Sequence, residues 1–389
     1  MKFVNSDEKN DKYRAALISR KKINRLRRLQ PVERSCDKAI IKTESGSFLD
    51  FCSNDYLGLA NHPELKKRSI EYTEKFGTSS SASRLITGTL SIHHELEDQL
   101  SSLYSREALL FNTGYQANAT VIPALTGRND TILADKKCHN SILHGCKASN
   151  AQLVRYQHND LNHLEKLLMR HSAKNTGVTW VITESVFSMD GDFAAIDEIG
   201  NLCKKFGAYF YVDDAHSTGL FGRKGLGLGA YNDQIDLLLE TFGKAAGAFG
   251  AVALMNQELK EYLINYCDGF IYSTSLPPSA VGSISAAFDL IPGMIDERDH
   301  LINMSDYLRS ELVKSGCNTL NSGSQIIPVL IGSDAEAIKI SNRLKSEGIY
   351  ILAIRPPTVP EGESRLRITI SAKHSKEEID ILKKALLDE

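Results

Sequence analysis

From about residue 106 the chain repeats one pattern: short apolar runs rich in β-branched and aromatic residues, separated by helical stretches. The runs are ALLFN (108–112), TILA (131–134), TWVIT (179–183), YFYV (209–212), LLLET (237–241) and AVALM (251–255), and several are continuous rather than alternating. A strand can be apolar on both sides only where both faces of its sheet are covered, and helices in the connections supply that cover. The pattern therefore predicts an α/β fold with a mostly parallel sheet. In such sheets ligands gather outside the carboxyl ends of the strands, so a polar residue just after one of these runs outweighs a polar residue elsewhere.

The flanks read differently. After about residue 285 come strand QIIPVL (325–330), a helix closed by Gly348, strands YILAI (350–354) and RLRITI (365–370), and a final helix that Ser375 and Glu378 open at the spacing of a capping box. This predicts a smaller α+β domain over 286–389, a large α/β domain over 46–285 and an N-terminal helical segment over 1–45. In that segment Arg20, Lys21, Lys22, Arg25, Arg27 and Arg28 crowd around Ile23, Leu26 and Leu29 at the spacing of an amphipathic helix. Its basic face is either solvated or anion-binding. No repeat or long linker is visible, so the domains are expected to pack closely.

Composition excludes several classes. With 389 residues, 42% of them hydrophobic and 24% charged, and a formal net charge of -2, the chain is of ordinary globular type and has no overall attraction for nucleic acid. Its longest apolar stretches, such as 249–255, fall short of the ~18–20 residues of a membrane span, and MKFVNSDEKNDKYRA lacks a signal-peptide core, so a cytoplasmic protein is expected. The 7 cysteines are scattered without a C-x-x-C pair, which argues against zinc or a disulfide framework and for small buried apolar residues.

Two motifs are decoys. Gly225, Gly227 and Ala230 match G-x-G-x-x-A, but no strand precedes them and no helix follows. Gly243-Lys244 ends like a P-loop, yet Leu238 replaces the first glycine and Ala245 the magnesium-binding hydroxyl. More telling is the run Ala208-Tyr-Phe-Tyr-Val-Asp213-Asp214-Ala-His216, in which a strand delivers Asp213 to its carboxyl end and the next turn returns His216. Lys244 follows another buried strand among small residues, where a crowded, partly dry pocket lowers the proton affinity of an amine and makes it a nucleophile toward aldehydes. A carboxylate for a pyridinium nitrogen and an amine for an aldehyde are what pyridoxal phosphate requires. At ~3 Å and an effective dielectric near 20 such an ion pair is worth about 5 kcal/mol before desolvation, enough to keep the ring nitrogen protonated.

The motifs Asn54-Asp-Tyr-Leu-Gly-Leu, Gly77-Thr-Ser-Ser-Ser-Ala-Ser-Arg84, Phe111-Asn-Thr-Gly-Tyr, His139, Glu184-Ser-Val-Phe-Ser-Met-Asp-Gly-Asp192, Asp213-Asp-Ala-His216, Thr241-Phe-Gly-Lys244 and Pro357-Thr-Val-Pro occur in that order from about residue 20 to the C-terminus. Together they resemble the α-oxoamine synthases, pyridoxal-phosphate transferases of fold type I that join an amino acid to an acyl thioester with loss of carbon dioxide. The resemblance implies that Lys244 bonds the cofactor aldehyde and later acts as base, and that Asp213 holds the pyridinium nitrogen. It implies that His216 and Ser188 bond the phenolate oxygen and that His139 stacks on the ring. Thr241 and the amides of Gly114 and Tyr115 would cradle the phosphate.

For substrates, the resemblance gives Asn54 and Arg367 to the amino acid's carboxylate, and Arg27, Arg355 and Thr358 to the acyl side. Without the family, Arg367 in RLRITI would read as lying on the solvent face of an edge strand. Thr274 resembles a residue that reaches the phosphate of a neighbouring subunit, which implies a homodimer with shared sites. TFGKAAGAFGA, IYSTSLPP and Arg355-Pro-Pro-Thr-Val-Pro point within the family to L-alanine and a pimeloyl thioester, carried by coenzyme A or an acyl carrier protein. The alternatives are glycine with acetyl-CoA and, outside enzymology, a non-catalytic partner subunit, which would lack Lys244. Lys244→Ala is expected to abolish the visible absorbance that pyridoxal phosphate produces with the purified chain, and turnover with it.

Overall fold

The computed structural model describes residues 6–172 and 177–387. A seven-stranded sheet forms its centre, in the order Glu107–Phe111, Ala251–Met255, Leu237–Thr241, Tyr209–Asp213, Thr179–Glu184, Thr131–Asp135, Gln152–Tyr156. Only Ala251–Met255 runs against its neighbours; the other pairings are parallel. The six apolar runs all became strands of this sheet, within a residue or two at each end. Both faces are covered, as continuous apolarity requires. Val181, Phe210, Val212, Leu238 and Val252 pack into one core on one side, while their neighbours Trp180, Ile182, Tyr211, Leu237, Leu239 and Ala251 pack into another.

The seventh strand, Gln152–Tyr156, gives no such signal because it lies at the sheet edge with Gln152 and Arg155 exposed. A three-stranded sheet follows later in the chain, with Ser364–Thr369 in the middle between Ile326–Gly332 and Ala353–Ile354. Arg367 is therefore not on the face of an edge strand. It is buried with Arg365 on one face of that central strand, while Leu366 and Ile368 enter the core from the other. The capping box forms: the Ser375 N–H donates to Glu378 Oε2 (2.9 Å) and the Glu378 N–H to Ser375 Oγ (3.2 Å).

Two expectations fail. YILAI is not one strand: Ile349–Tyr350 pairs in parallel with Gly46–Asp50 in a separate four-stranded sheet, and Ala353–Ile354 turns away to pair with Ser364–Thr369. The basic helix is displaced as well. It spans Ser6–Lys22, and Ile23–Leu29 is irregular, with Asn24 at φ 56°. Arg25 explains the break, since its guanidinium bonds Asp334 (2.7 Å) and Glu361 (2.5 Å) and ties this arm to the far end of the chain. Four cysteines, Cys138, Cys146, Cys203 and Cys267, are buried, Cys52 and Cys317 are half-buried, and Cys36 is exposed; all are free thiols. Among the described residues no single helix is long and apolar enough to cross a membrane.

Helices Gly114–Leu125 and Asn140–Ala148 pack so closely that a Cβ on Gly145 would meet the backbone oxygen of Asn118. Overpacking of this kind costs ~1–3 kcal/mol. Gly145→Ala is thus expected to lower the urea midpoint at unchanged slope and, because Asn118 holds Asp213, to weaken cofactor binding in parallel.

Candidate active site

Five parallel strands end on one side of the sheet, and each hands the chain to a segment that faces the same space. Phe111 leads to Gly114, Asp135 to His139, Glu184 to Ser188, Asp213 to His216 and Thr241 to Lys244. These five segments, with Asn54 and Arg367 from flanking elements, line a cavity of ≈ 450 Å³. That volume is in the range of small-molecule sites.

Asp213 is buried at its strand end. Its Oδ2 accepts from Asn118 Nδ2 (2.7 Å) and its Oδ1 from the Ala215 N–H (3.1 Å). Asn118 is fixed in turn by Ser141 Oγ (3.0 Å) and the Tyr211 hydroxyl (2.5 Å). Lys244 is half-buried across the cavity. Burial pulls its amine down to about 8, although Asp213 and Glu184 favour the charged form. A neutral amine is therefore available near neutrality.

His139 caps its helix, with Nδ1 2.7 Å from Ser141 Oγ, and its backbone N–H donates to the Glu184 carboxylate. Burial and Lys244 hold the imidazole below its ordinary value against the pull of Asp213. His216 is held well below by burial and by the charges of Lys244 and Arg367. Its Nδ1 lies 2.6 Å from the Tyr56 hydroxyl, so Nε2 is the nitrogen left for the cavity. Glu184 is pushed well above the carboxylate range by burial and by Asp213.

At the other end of the cavity, Gly114 and Tyr115 begin a helix whose Thr113 cap accepts from the Gln116 N–H (3.0 Å), leaving the first amides to an outside acceptor. A Cβ on Gly114 would strike the Thr241 methyl, so only glycine lets these two segments meet. The Thr241 hydroxyl is buried with no hydrogen-bond partner among the described residues. Such a group costs free energy until something accepts from it, and a phosphate beside free helix amides supplies that. A carboxylate at one wall, an amine at another and an incomplete anion cradle at the end fit pyridoxal phosphate.

Arg367 faces the same space from the three-stranded sheet. Nε donates to the Ser188 carbonyl (2.6 Å), and both Nη atoms lie 3.3 Å from Asn54 Oδ1. A second cleft of ≈ 570 Å³ shares His139, Ser188 and Met189 with the cavity, and Arg27 and Thr358 line it, bonded to each other at 3.0 Å. Arg355 does not line this cleft; it lines a smaller pocket of ≈ 150 Å³ that shares Arg27 and Thr358 with it, and donates to the Asn24 carbonyl. Thr274 does not reach this chain's own cavity. It is exposed, and its carbonyl accepts from Asn112 Nδ2 (2.8 Å). Sequence reasoning assigned no role to Asn118, Tyr56 or Glu184. Only Glu184 had a readable signal, as the last residue of a buried strand.

Residues 47–386 match the model of the aminotransferase class I and II family. The chain is 43% identical over 368 residues, 92% of each chain, to a protein of Gluconacetobacter diazotrophicus named 8-amino-7-oxononanoate synthase. Among solved structures it is similar to SPT with a pyridoxal phosphate internal aldimine, at a TM-score of 0.90 and 28% identity, covering 99% of this chain and 98% of that one. It is also similar to 8-amino-7-oxononanoate synthase from Francisella tularensis, at a TM-score of 0.75 and 25% identity, covering 87% and 98%.

Because the Lys244 amine reacts as the free base, its rate of bonding to added pyridoxal phosphate should rise with pH up to about 8 and then level. One unit below the break the rate should be about tenfold lower. Stopped-flow absorbance of the purified apo chain measures this.

Proposed function

The chain belongs to the aminotransferase class I and II family and is a pyridoxal-phosphate-dependent acyltransferase; from that premise we propose that it joins L-alanine to a pimeloyl thioester. The products are 8-amino-7-oxononanoate, a biotin precursor, with carbon dioxide and the free thiol. The observation that carries the reading is the convergence of Asp213, Lys244 and the incomplete Thr241–Gly114 cradle in one cavity, with Arg367 and Asn54 on its wall.

When bound, pyridoxal phosphate supplies an aldehyde and an electron-withdrawing ring. In this reading Asp213, oriented by Asn118, keeps a proton on the ring nitrogen, and Thr241 with the Gly114 and Tyr115 amides holds the phosphate. His139 covers the ring face, a flat group held largely neutral by burial and therefore free of a competing charge. His216 Nε2 and Ser188 bond the ring oxygen. Arg367 and Asn54 hold the carboxylate of alanine, since a guanidinium fork fits a carboxylate in two-point geometry. Lys244 would hold the aldehyde before the amino acid arrives and, as a free amine, would take the proton from alanine's α-carbon. That carbon then attacks the thioester carbonyl, the thiol leaves, and the carboxylate departs as carbon dioxide.

The second cleft suits the acyl chain and its carrier. It joins the cavity at His139, Ser188 and Met189, and Arg27 and Thr358 line it and also the smaller pocket that Arg355 lines. We carry a cytoplasmic homodimer with the same reading, its cofactor-binding unit over 46–285 and its smaller unit over 286–389. Thr274 would complete the partner's phosphate site, which accords with its exposure and with Ile86 and Tyr272 being 76% and 81% exposed nearby in sequence to its bridge with Ser83.

Mass analysis of the product from L-alanine with pimeloyl-CoA is the direct test. The expected product is 8-amino-7-oxononanoate, and brisk glycine and acetyl-CoA turnover without it would move the substrates and leave the site intact. Arg367→Lys keeps the charge but loses the fork, so it is expected to raise KM for alanine by about tenfold or more with a smaller effect on the thioester.

A further inference from the structure

His139 and Ser188 reach the cavity from different strand ends, and one side chain outside the cavity ties their supports together. His158 follows the edge strand Gln152–Tyr156 and lies between two buried carboxylates. Its Nδ1 is 2.9 Å from Asp135 Oδ1 and its Nε2 is 2.7 Å from Asp192 Oδ2. An ionised carboxylate only accepts, and a neutral imidazole carries one N–H, so both bonds form together only when the ring is an imidazolium. His158, Asp190 and Asp192 have the makings of a cation site. However, both ring nitrogens are committed, and Asp190 is paired with Lys137 and Arg365.

Each carboxylate shapes one segment. Asp135 accepts the Lys137 N–H (2.7 Å) and the Asn159 N–H (3.0 Å), which fixes the turn that delivers His139. Asp192 closes the other loop: its carbonyl accepts the Phe187 N–H (3.0 Å), its Oδ2 accepts from Asn159 Nδ2 (3.1 Å), and Ser188 and Met189 at the loop's tip line the cavity. The Phe187 ring stands edge-on to His158, with centroids 4.5 Å apart.

We propose that His158 is a positioning residue, a cationic bridge that holds His139 and Ser188 in register across the cofactor ring, and that losing its proton releases both segments. The inference rests on the reading that this cavity binds pyridoxal phosphate, and not on which substrates follow. Burial lowers the proton affinity of the ring, but hydrogen bonds and charge from Asp135 and Asp192 outweigh this and raise it to about 9. The bridge is therefore intact at neutral pH and lost as pH rises through about 9. Besides these two, the charged group facing the ring among the described residues is Asp190, and Lys137 and Arg365 act on it only through that carboxylate.

Two measurements decide the matter. In the wild-type chain labelled with ¹⁵N-histidine, both ring nitrogens of His158 should be protonated at about pH 7.5 and one proton should leave near pH 9. A singly protonated ring at about pH 7.5 overturns the proposal, and this test needs no variant to fold. The second uses His158→Gln, which donates from a single nitrogen, presents an acceptor oxygen where the ring had its second N–H, and carries no charge. Amide exchange in 135–139 and 187–193 should rise together, that in 209–213 should stay, and the dissociation constant for pyridoxal phosphate should rise by about tenfold. His158→Arg, with donors for both carboxylates, should restore part of the affinity. A folded His158→Gln chain with wild-type exchange in both segments and wild-type cofactor affinity overturns the proposal. None of these measurements reads turnover, so failure of the alanine assay leaves them standing, and their failure leaves the substrate assignment standing.

Discussion

A carboxylate held at the dry end of a buried strand is the constraint on which this site is built. Taking an ion such as Asp213 out of water costs several kcal/mol unless hydrogen bonds and opposite charge replace the lost hydration. The chain supplies them from three directions: the Asn118 amide, the Ala215 N–H and the Lys244 amine beyond. The same low dielectric that makes the carboxylate expensive makes it effective, because a charge aimed at a ring nitrogen is strong only where water does not screen it. Lys244 feels both sides of this. Burial lowers its proton affinity and Asp213 raises it, and burial dominates.

The cost of that arrangement is spread through the packing. Asn118 is held by Ser141 and Tyr211 and pressed into place by a helix that approaches at Gly145. Gly114 performs the same service at the phosphate end, where any side chain would push Thr241 away. Two glycines therefore set the distances between catalytic segments, Gly145 from outside the cavity and Gly114 from its lining. The His158 bridge belongs to the same layer. It joins loops that the sheet alone leaves independent, since strands parallel in a sheet fix where their ends lie but not how the loops beyond them lean.

The later part of the chain closes the site through arginine. Arg365 and Arg367 sit two apart on one face of a central strand, and both point toward the large sheet, one to Asp190 and one to Asn54 and the Ser188 carbonyl. Each carries its charge to a specific acceptor on the other side, which ties the smaller sheet to the loop after Thr179–Glu184. The N-terminal arm is fastened similarly, through Arg25 to Asp334 and Glu361, which brings Arg27 to the rim of the second cleft.

Much of this was legible in the sequence because both-face burial writes itself as continuous apolarity. Six strands can be read from their composition, and the rule that ligands gather at carboxyl ends then singles out Asp213, His216 and Lys244 from the sequence alone. Where burial is one-sided or absent the signal fades: the edge strand Gln152–Tyr156 was invisible, and YILAI looked like one strand although its two halves pair with different sheets. The basic run from Arg20 to Arg28 has helical spacing throughout, but the helix ends at Lys22, because the ion pairs that hold Arg25 reach residues hundreds of positions away. Asn118, Tyr56 and His158 became meaningful only in three dimensions. Their roles depend on which distant carboxylate or imidazole they meet, and periodicity records the face a residue occupies but not the partner waiting on it.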